Sequence, residues 1–240
     1  MKITTFSHLL RGALPLAGVI AALTAAITFA SAGGQAAQGH DHATAHAVGH
    51  AHAAKHNSTR NAKALALHDG MRKLWEDHIT WTRLAIVSFA AGLPDFEATA
   101  GRLMTNQEDI GDAVKPFYGR RAGERLTSLL KEHIAGAVEL LQAAKAGDDA
   151  RLGRAKDAWY GNGDQIARFL NKANPKHWPL GKLRALMRGH LDQTLDEAGA
   201  RLRGDFAADI RAYDEIHHHI LVMADTLSAG IVKQFPHRFR

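Results

Sequence analysis

The stretch Trp75-Glu76-Asp77-His78-Ile79-Thr80-Trp81-Thr82-Arg83 decides the fold, because its pattern occurs three times along the chain. Apolar and small residues around it recur in steps of 3 and 4, which predicts a helix with one buried face. His78 lies on that apolar stripe, at a place where a leucine is expected. His133 and His190 follow at nearly equal intervals, each on a stripe of its own. Such similar intervals indicate an internal repeat.

Each stripe is followed by a turn signal and a second helical pattern. A glycine follows each histidine at the same interval, and glycine followed by proline or aspartate is typical of one helix ending and another beginning. The second pattern is interrupted by a polar residue at almost the same distance beyond the glycine. Equal distances from a turn mean equal heights in an antiparallel hairpin, so the histidines and the interruptions should form one polar layer. The glycines are Gly92, Gly147 and Gly204, and the interruptions are Asn106, Asn162 and His217.

The sequence therefore predicts an all-α fold, a bundle of six helices arranged as three antiparallel hairpin repeats. Strand-like alternation is absent, and most glycines and prolines fall between the helical patterns. The bundle domain is predicted to span residues 61–236, with a C-terminal tail at residues 237–240. The six predicted helices are Ala62–Ala91, Asp95–Phe117, Gly123–Ala146, Asp149–Ala173, Leu180–Leu202 and Asp205–Gln234.

Residues 1–32 have the features of a secretory signal. Lys2 and Arg11 precede an uncharged apolar run from Gly12 to Ala32, which ends in Ala-Ser-Ala like a signal-peptidase site. This pattern predicts export to the periplasm or the extracellular space, with an uncleaved membrane anchor as the alternative. The chain has no cysteine, so disulfides, thiolate metal sites and cysteine nucleophiles are excluded.

Residues 33–60 are predicted to be a disordered, histidine-rich linker. Imidazole binds Zn, Cu and Ni well, so a flexible tract of this kind favours metal capture. A low-complexity linker with incidental metal affinity is the alternative. The six histidines of the tract are His40, His42, His46, His50, His52 and His56.

Charge and motifs argue against several classes of function. The net charge is +6 and becomes +4 without residues 1–32, and the basic residues are interspersed with acids, which argues against a nucleic-acid partner. The chain contains no G-x-x-x-x-G-K-[ST] phosphate loop, no G-x-G-x-x-G and no G-x-S-x-G nucleophile elbow. Nucleotide-dependent and acyl-transfer enzymes are therefore unsupported.

The predicted layer is the candidate site. A metal ion held by His78, His133, His190 and His217 would satisfy all four buried imidazoles, and Zn or Cu suits such ligands. Hydrogen-bonded polar residues that only fix the helix register are one alternative, and a small-molecule pocket is another. Asp214 three residues before His217 raises a further alternative, a ferritin-like Fe or Mn redox enzyme. Side chains predicted to orient the imidazoles from behind are Asn106, Asp109, Asn162, Asp164 and Asp214.

The chain after residue 65 resembles a family of bacterial helical proteins whose members are often labelled acetylglutamate kinase or glycosyltransferase. Family members are similar at the first three layer histidines and can have glutamate in place of His217. Because histidine and glutamate both bind metals, the resemblance implies that position 217 coordinates a metal. The residues support neither kinase nor glycosyltransferase activity. The matching stretches are LWEDHITWTRLAIVS (Leu74–Ser88), NQEDIG (Asn106–Gly111), KPFYG (Lys115–Gly119), AAKAGD (Ala143–Asp148), WYGNGDQIARFL (Trp159–Leu170), ANP (Ala173–Pro175) and YDEIHHHILVMADTLSAGIVKQFP (Tyr213–Pro236).

Overall fold

The structure is a computed structural model that describes the backbone of residues 48–240 and the side chains of residues 62–240. This part of the chain contains six α-helices, one short 3-10 helix and no strand, which confirms the all-α prediction. The elements are α1 (Val48–Ala91), α2 (Phe96–Tyr118), α3 (Arg120–Ala146), α4 (Asp149–Ala173), α5 (Leu180–Leu202), α6 (Phe206–Gln234) and the 3-10 helix Pro236–Phe239.

The helices form a closed ring. Each helix packs against the next one along the chain, and α6 returns to pack against α1. Neighbours in such a ring are antiparallel, so α1, α3 and α5 run in one direction and α2, α4 and α6 in the other. Helix α1 also contacts α3 and α5, which brings the three odd-numbered helices, the carriers of the repeated histidines, together.

The hairpin turns are as the sequence predicts. Gly92, Gly147 and Gly204 have φ values of 64°, 65° and 75°, the left-handed conformation that glycine adopts without a steric penalty. The side chains of Asp148 and Asp205 accept hydrogen bonds from backbone N–H groups in the first turns of α4 and α6. Since α1, α3 and α5 run in one direction and each ends at one of these turns, all three turns lie at one end of the bundle, which we call the turn end.

Helix α1 begins earlier than expected. It starts at Val48 rather than Ala62, so residues 48–60 of the predicted disordered linker are helical in the structure. This stretch has three alanines and no proline, and its single glycine, Gly49, lies in the first turn, so its sequence is compatible with a helix. The predicted signal (1–32) and the rest of the predicted linker (33–47) lie outside the described residues. Within the described chain, no helix combines the length and apolar character needed to cross a membrane.

The C-terminal residues belong to the bundle and are not a separate tail. The 3-10 helix covers Pro236–Phe239, and the side chain of Phe239 is only 3% exposed. Its ring stacks on Phe117 of α2 with the ring centroids 5.8 Å apart. The aromatic ring therefore extends the core past the predicted domain boundary at residue 236.

Candidate functional site: a buried histidine layer beside an apolar cavity

Three of the four predicted layer histidines meet inside the bundle. His78, His133 and His190 are 2%, 3% and 3% exposed, and they come from α1, α3 and α5. The His190 ring lies between the others, with its centroid 5.7 Å from that of His78 and 5.9 Å from that of His133. We call these three residues the histidine layer.

Asparagines donate to the backbone next to the first two histidines by the same contact in two repeats. The amide nitrogen of Asn106 donates to the Leu74 carbonyl at 3.0 Å, and that of Asn162 donates to the Leu129 carbonyl at 3.1 Å. Each carbonyl lies four residues before the histidine of its repeat. With its amide nitrogen engaged, Asn162 turns its carbonyl oxygen to His133 Nδ1, 3.0 Å away. His133 therefore donates from Nδ1, and its Nε2 carries the lone pair.

In the third repeat His219, and not His217, takes the place of the asparagine. Its Nε2 lies 2.8 Å from the carbonyl oxygen of Leu186, four residues before His190, and donates to it. The prediction for His217 is therefore corrected. The His217 ring is partly exposed, and its Nε2 lies 2.9 Å from Glu76 Oε1 at the bundle surface. The interval from the turn glycine Gly204 to His219 equals that from Gly147 to Asn162.

The carboxylates predicted to orient the imidazoles lie on the surface instead. Asp109 is 3.7 Å from Arg102, and both side chains are more than a third exposed. Asp164 pairs with Arg184 at 2.6 Å and with Arg168, and these contacts hold its pKa below the ordinary value. Asp214 is exposed. Position at the edge of a helical stripe did not predict these contacts, because arginines on the same or the neighbouring helix pair with Asp109 and Asp164 away from the layer.

Gln107 contacts the histidine layer and was not predicted from the sequence to do so. It is fully buried, and its Nε2 lies 2.8 Å from the Leu103 carbonyl and 3.2 Å from His78 Nδ1, so it donates to both acceptors. Three buried polar atoms around the layer have no hydrogen-bond partner among the described residues. They are Trp75 Nε1, Gln107 Oε1 and His190 Nδ1.

Burial keeps the layer uncharged. Loss of hydration lowers the pKa of His78 from its ordinary 6.5 to about 3, with a further contribution from the nearby His133. The same burial lowers the pKa of His133 to about 4, against an opposing effect of its bond to Asn162. The pKa of His190, which is surrounded by other imidazoles, is also lowered well below 6.5. All three rings are therefore neutral near pH 7, the protonation state in which imidazole binds metals.

The layer is not arranged as a metal site in this structure. Among the described residues, no group of three or more histidine, aspartate or glutamate side chains is already placed to hold one ion. Two imidazoles that share an ion at about 2.0–2.1 Å from each nitrogen have centroids roughly 5.5 Å apart. The separations of the His190 ring from the His78 ring and from the His133 ring, 5.7 and 5.9 Å, are close to that value.

An apolar cavity of about 330 Å³ lies on the turn-end side of the histidine layer. Its inner end is formed by Thr82 and Thr194, each four residues after a layer histidine, and by Trp159, whose ring stacks on His133 with centroids 5.0 Å apart. Both threonine hydroxyls donate to the histidine carbonyls at 2.8 Å, so the cavity wall is apolar even beside the layer. The outer end is formed by Phe96 and Arg203, at helix termini.

A buried ion cluster lies beyond the layer in the same direction. Arg83 donates to Glu197 at 2.8 Å and to Asp209 at 2.8 Å, and both carboxylate side chains are fully buried. Arg201 also donates to Asp209, at 3.2 Å, and the Arg83 guanidinium lies over the Tyr213 ring. Desolvation raises the pKa of Glu197 to about 7 despite the arginine beside it. Arg83 lies five residues beyond His78 and so on a different face of the helix, from which the sequence predicts a surface ion pair. That prediction is wrong, because both carboxylate partners are fully buried.

Comparisons with protein-family models, with curated proteins and with solved structures found no match for this chain.

Proposed function

We propose that the bundle binds a transition metal ion, Zn²⁺ or a copper ion, through the imidazoles of His78, His133 and His190. The observation that carries the proposal is that three neutral imidazoles from three repeats are in contact, and the central one has a buried nitrogen with no partner among the described residues. An unpartnered buried imidazole nitrogen is costly, and coordination would remove that cost.

The amide beside His133 supports this assignment. The bond from His133 Nδ1 to Asn162 fixes the tautomer whose Nε2 can bind an ion, and such outer contacts orient metal-binding histidines in many sites. At His78, whose Nδ1 accepts from Gln107, binding of an ion would require the Gln107 amide to turn its unpartnered Oε1 to that nitrogen, so that Nε2 is left with the lone pair. Thiolate ligands are excluded because the chain has no cysteine, and the carboxylates of Asp109 and Asp164 pair with arginines away from the layer. A layer rich in nitrogen favours Zn²⁺ or copper over the iron or manganese of a carboxylate-rich redox enzyme.

The N-terminal region enters the proposal as a supplier of metal. We propose that residues 1–32 direct export to the periplasm or the extracellular space, and that the histidines at residues 40–56 raise the local metal concentration near the bundle. Exported proteins meet metals outside the cytoplasmic buffers, so a capture tract beside a tighter site would help load it. No nucleic-acid partner is proposed.

The experiment separates the bundle from the tract. The full chain is compared with a variant in which the six tract histidines are alanine, and Zn²⁺ and Cu²⁺ binding are measured by calorimetry. One site per chain should survive in the tract variant. Co²⁺ bound there should show the visible absorption of a four-coordinate ion.

The ligand assignment is tested in the tract variant. His133→Leu or His190→Leu should abolish the surviving site, because leucine fits an apolar stripe but cannot bind an ion. His217→Gln is the matched control and should leave metal binding unchanged. Loss of all binding with the tract histidines would contradict the proposal. So would a melting temperature that ignores added metal, which would favour a layer that only sets the helix register.

A further inference from the structure

The turn-end cavity is a second feature of the bundle, and the proposed metal does not account for it. At about 330 Å³ it falls at the lower end of the size range of small-ligand pockets. Its lining comes from the first five helices. On the faces of α1, α3 and α5 that also carry the layer histidines, a seam that we call the odd-helix seam, the lining includes small residues such as Ala85, Ala137 and Ala198. These alanines leave the space that larger side chains fill elsewhere in the bundle.

The cavity is apolar at its inner end and carries a charge at its outer end. The inner end is apolar, since the hydroxyls of Thr82 and Thr194 are bonded to backbone carbonyls. Among the described residues that line the cavity, Arg203 alone is charged, and it is an exposed residue just beyond the end of α5. The nearby Asp148 and Asp205 carboxylates are already engaged as helix N-caps.

We propose that this cavity binds a small anionic amphiphile, a medium-chain carboxylate, with its acyl chain directed toward the histidine layer and its head group at Arg203. Burial of the chain in the apolar interior supplies the affinity, at roughly 0.8 kcal/mol for each buried CH₂ group. The guanidinium at the mouth selects an acceptor with negative charge, because it presents several N–H donors in a planar fork.

The experiment uses the full chain with decanoate and decanol as probes, and measures binding by calorimetry without added metal. Decanoate should bind one per chain and more tightly than decanol. Arg203→Gln should weaken decanoate binding by about three- to fivefold, the effect of one exposed ion pair, and leave decanol unchanged. Arg211→Gln removes an exposed arginine that does not line the cavity, and it should change neither affinity.

A cavity-filling variant tests the location. Ala198→Leu places three additional carbons in the cavity and should weaken both probes by at least about tenfold, without lowering the melting temperature. Ala137→Leu is a second filling variant, from α3, should Ala198→Leu fold poorly. Binding of decanoate that survives both fillings would overturn the proposal. Equal binding of decanol and decanoate, or no binding of either probe, would overturn it as well.

Discussion

The two halves of the bundle, on either side of the histidine layer, are built from residues of different size. On the side away from the turns, the odd-helix seam carries large residues, among them Met71, Leu126 and Leu183, and the remaining space there is about 20 Å³. On the turn-end side, the same seam carries alanine and threonine, and the cavity is about 330 Å³. The same repeated hairpin thus gives a packed half and a hollow half.

The difference in packing makes the histidine layer a boundary between a packed half and a hollow half of the bundle. Register could be fixed by the hydrogen bonds from Asn106, Asn162 and His219 with both halves packed. The turn-end half instead gives up dispersion contacts to keep a cavity. It also holds the ion cluster of Arg83, Glu197 and Asp209. Features that cost stability are therefore concentrated in one half of the bundle.

The largest expected effect is a decrease in the free energy of unfolding in acid, caused by the buried neutral histidines of the layer. An unfolded chain protonates its histidines near pH 6.5, whereas the folded layer stays neutral until about pH 4 at His133 and about pH 3 at His78. As the pH falls below 6.5 the unfolded state binds more protons, so the free energy of unfolding should fall. Each histidine contributes up to about 1.4 kcal/mol per pH unit. Urea unfolding in the presence of a chelator, from pH 7.5 to 4.5, measures this slope.

Glu197 provides a control of opposite sign. Its pKa is raised to about 7 from an ordinary 4.5, so the folded state binds a proton there between these values, and its contribution to stability is lost as the pH rises. Glu197→Gln should therefore steepen the acid slope of the histidines. A free energy of unfolding that stays constant from pH 7 to 5 would contradict a buried neutral layer.

The ion cluster of the turn-end half gives the next largest effect. Arg83→Leu leaves the fully buried Glu197 and Asp209 short of their main partner, and should cost about 3–5 kcal/mol of unfolding free energy. Arg72→Leu is the matched control on the same helix, because its partner Asp225 is 41% exposed, and it should cost under about 1 kcal/mol. Chemical unfolding at pH 7.5 compares them. Equal costs would mean that the cluster is solvated.

Much of the fold follows from the sequence. His78 and Asn106 lie at equal distances in sequence from Gly92, which predicts that they are level with each other in the first hairpin. The periodic stripes predict α4 and α5 with the bounds that the structure shows. These features depend on local geometry, namely about 3.6 residues per turn and a glycine that ends each helix. Local geometry can be predicted from one chain without knowledge of its packing.

The errors in the site arise where a side chain leaves the predicted face. His217 continues the stripe from Tyr213 to Ile220, so periodicity selects it. The bond to the Leu186 carbonyl instead requires the direction of His219, which lies about 200° around the helix from His217. Arg83 was misplaced for a related reason. A single stripe assumes one buried face, but α1 packs against several helices and buries a second one.

The hollow half left a signal in the sequence that periodicity does not weigh. Before each layer histidine the stripe residues are large, and after it most of them are small, with Trp81 and Leu140 as the exceptions. The larger set includes Leu67, Met71, Leu126, Leu130, Leu183 and Met187, and the smaller set includes Ala85, Ala137, Ala144, Thr194 and Ala198. A comparison of side-chain volumes along the three repeats would have predicted the cavity.

Truncations of matched leucines measure the packing difference directly. Leu183 and Leu140 are 2% and 3% exposed, but Leu183 lies in the packed half and Leu140 lines the cavity. Leu183→Ala should cost about 3–5 kcal/mol, and Leu140→Ala about 2 kcal/mol, because a side chain beside a cavity has fewer contacts to lose. Chemical unfolding of both variants checks this. A larger cost at Leu140 would mean that the turn-end half is packed in solution.

A larger side chain should lower the stability of the packed half and raise that of the turn-end half. These are the smallest of the expected effects. Gly230→Ala places a methyl group against the buried Trp178 ring, so its cost of about 1–3 kcal/mol in packing should exceed the gain of about 1 kcal/mol in helix propensity. Ala198→Leu enters the cavity and should add about 1 kcal/mol. Melting temperatures should therefore fall for Gly230→Ala and rise for Ala198→Leu. A fall for both variants would show that the cavity closes in solution, because only a filled space resists a leucine side chain.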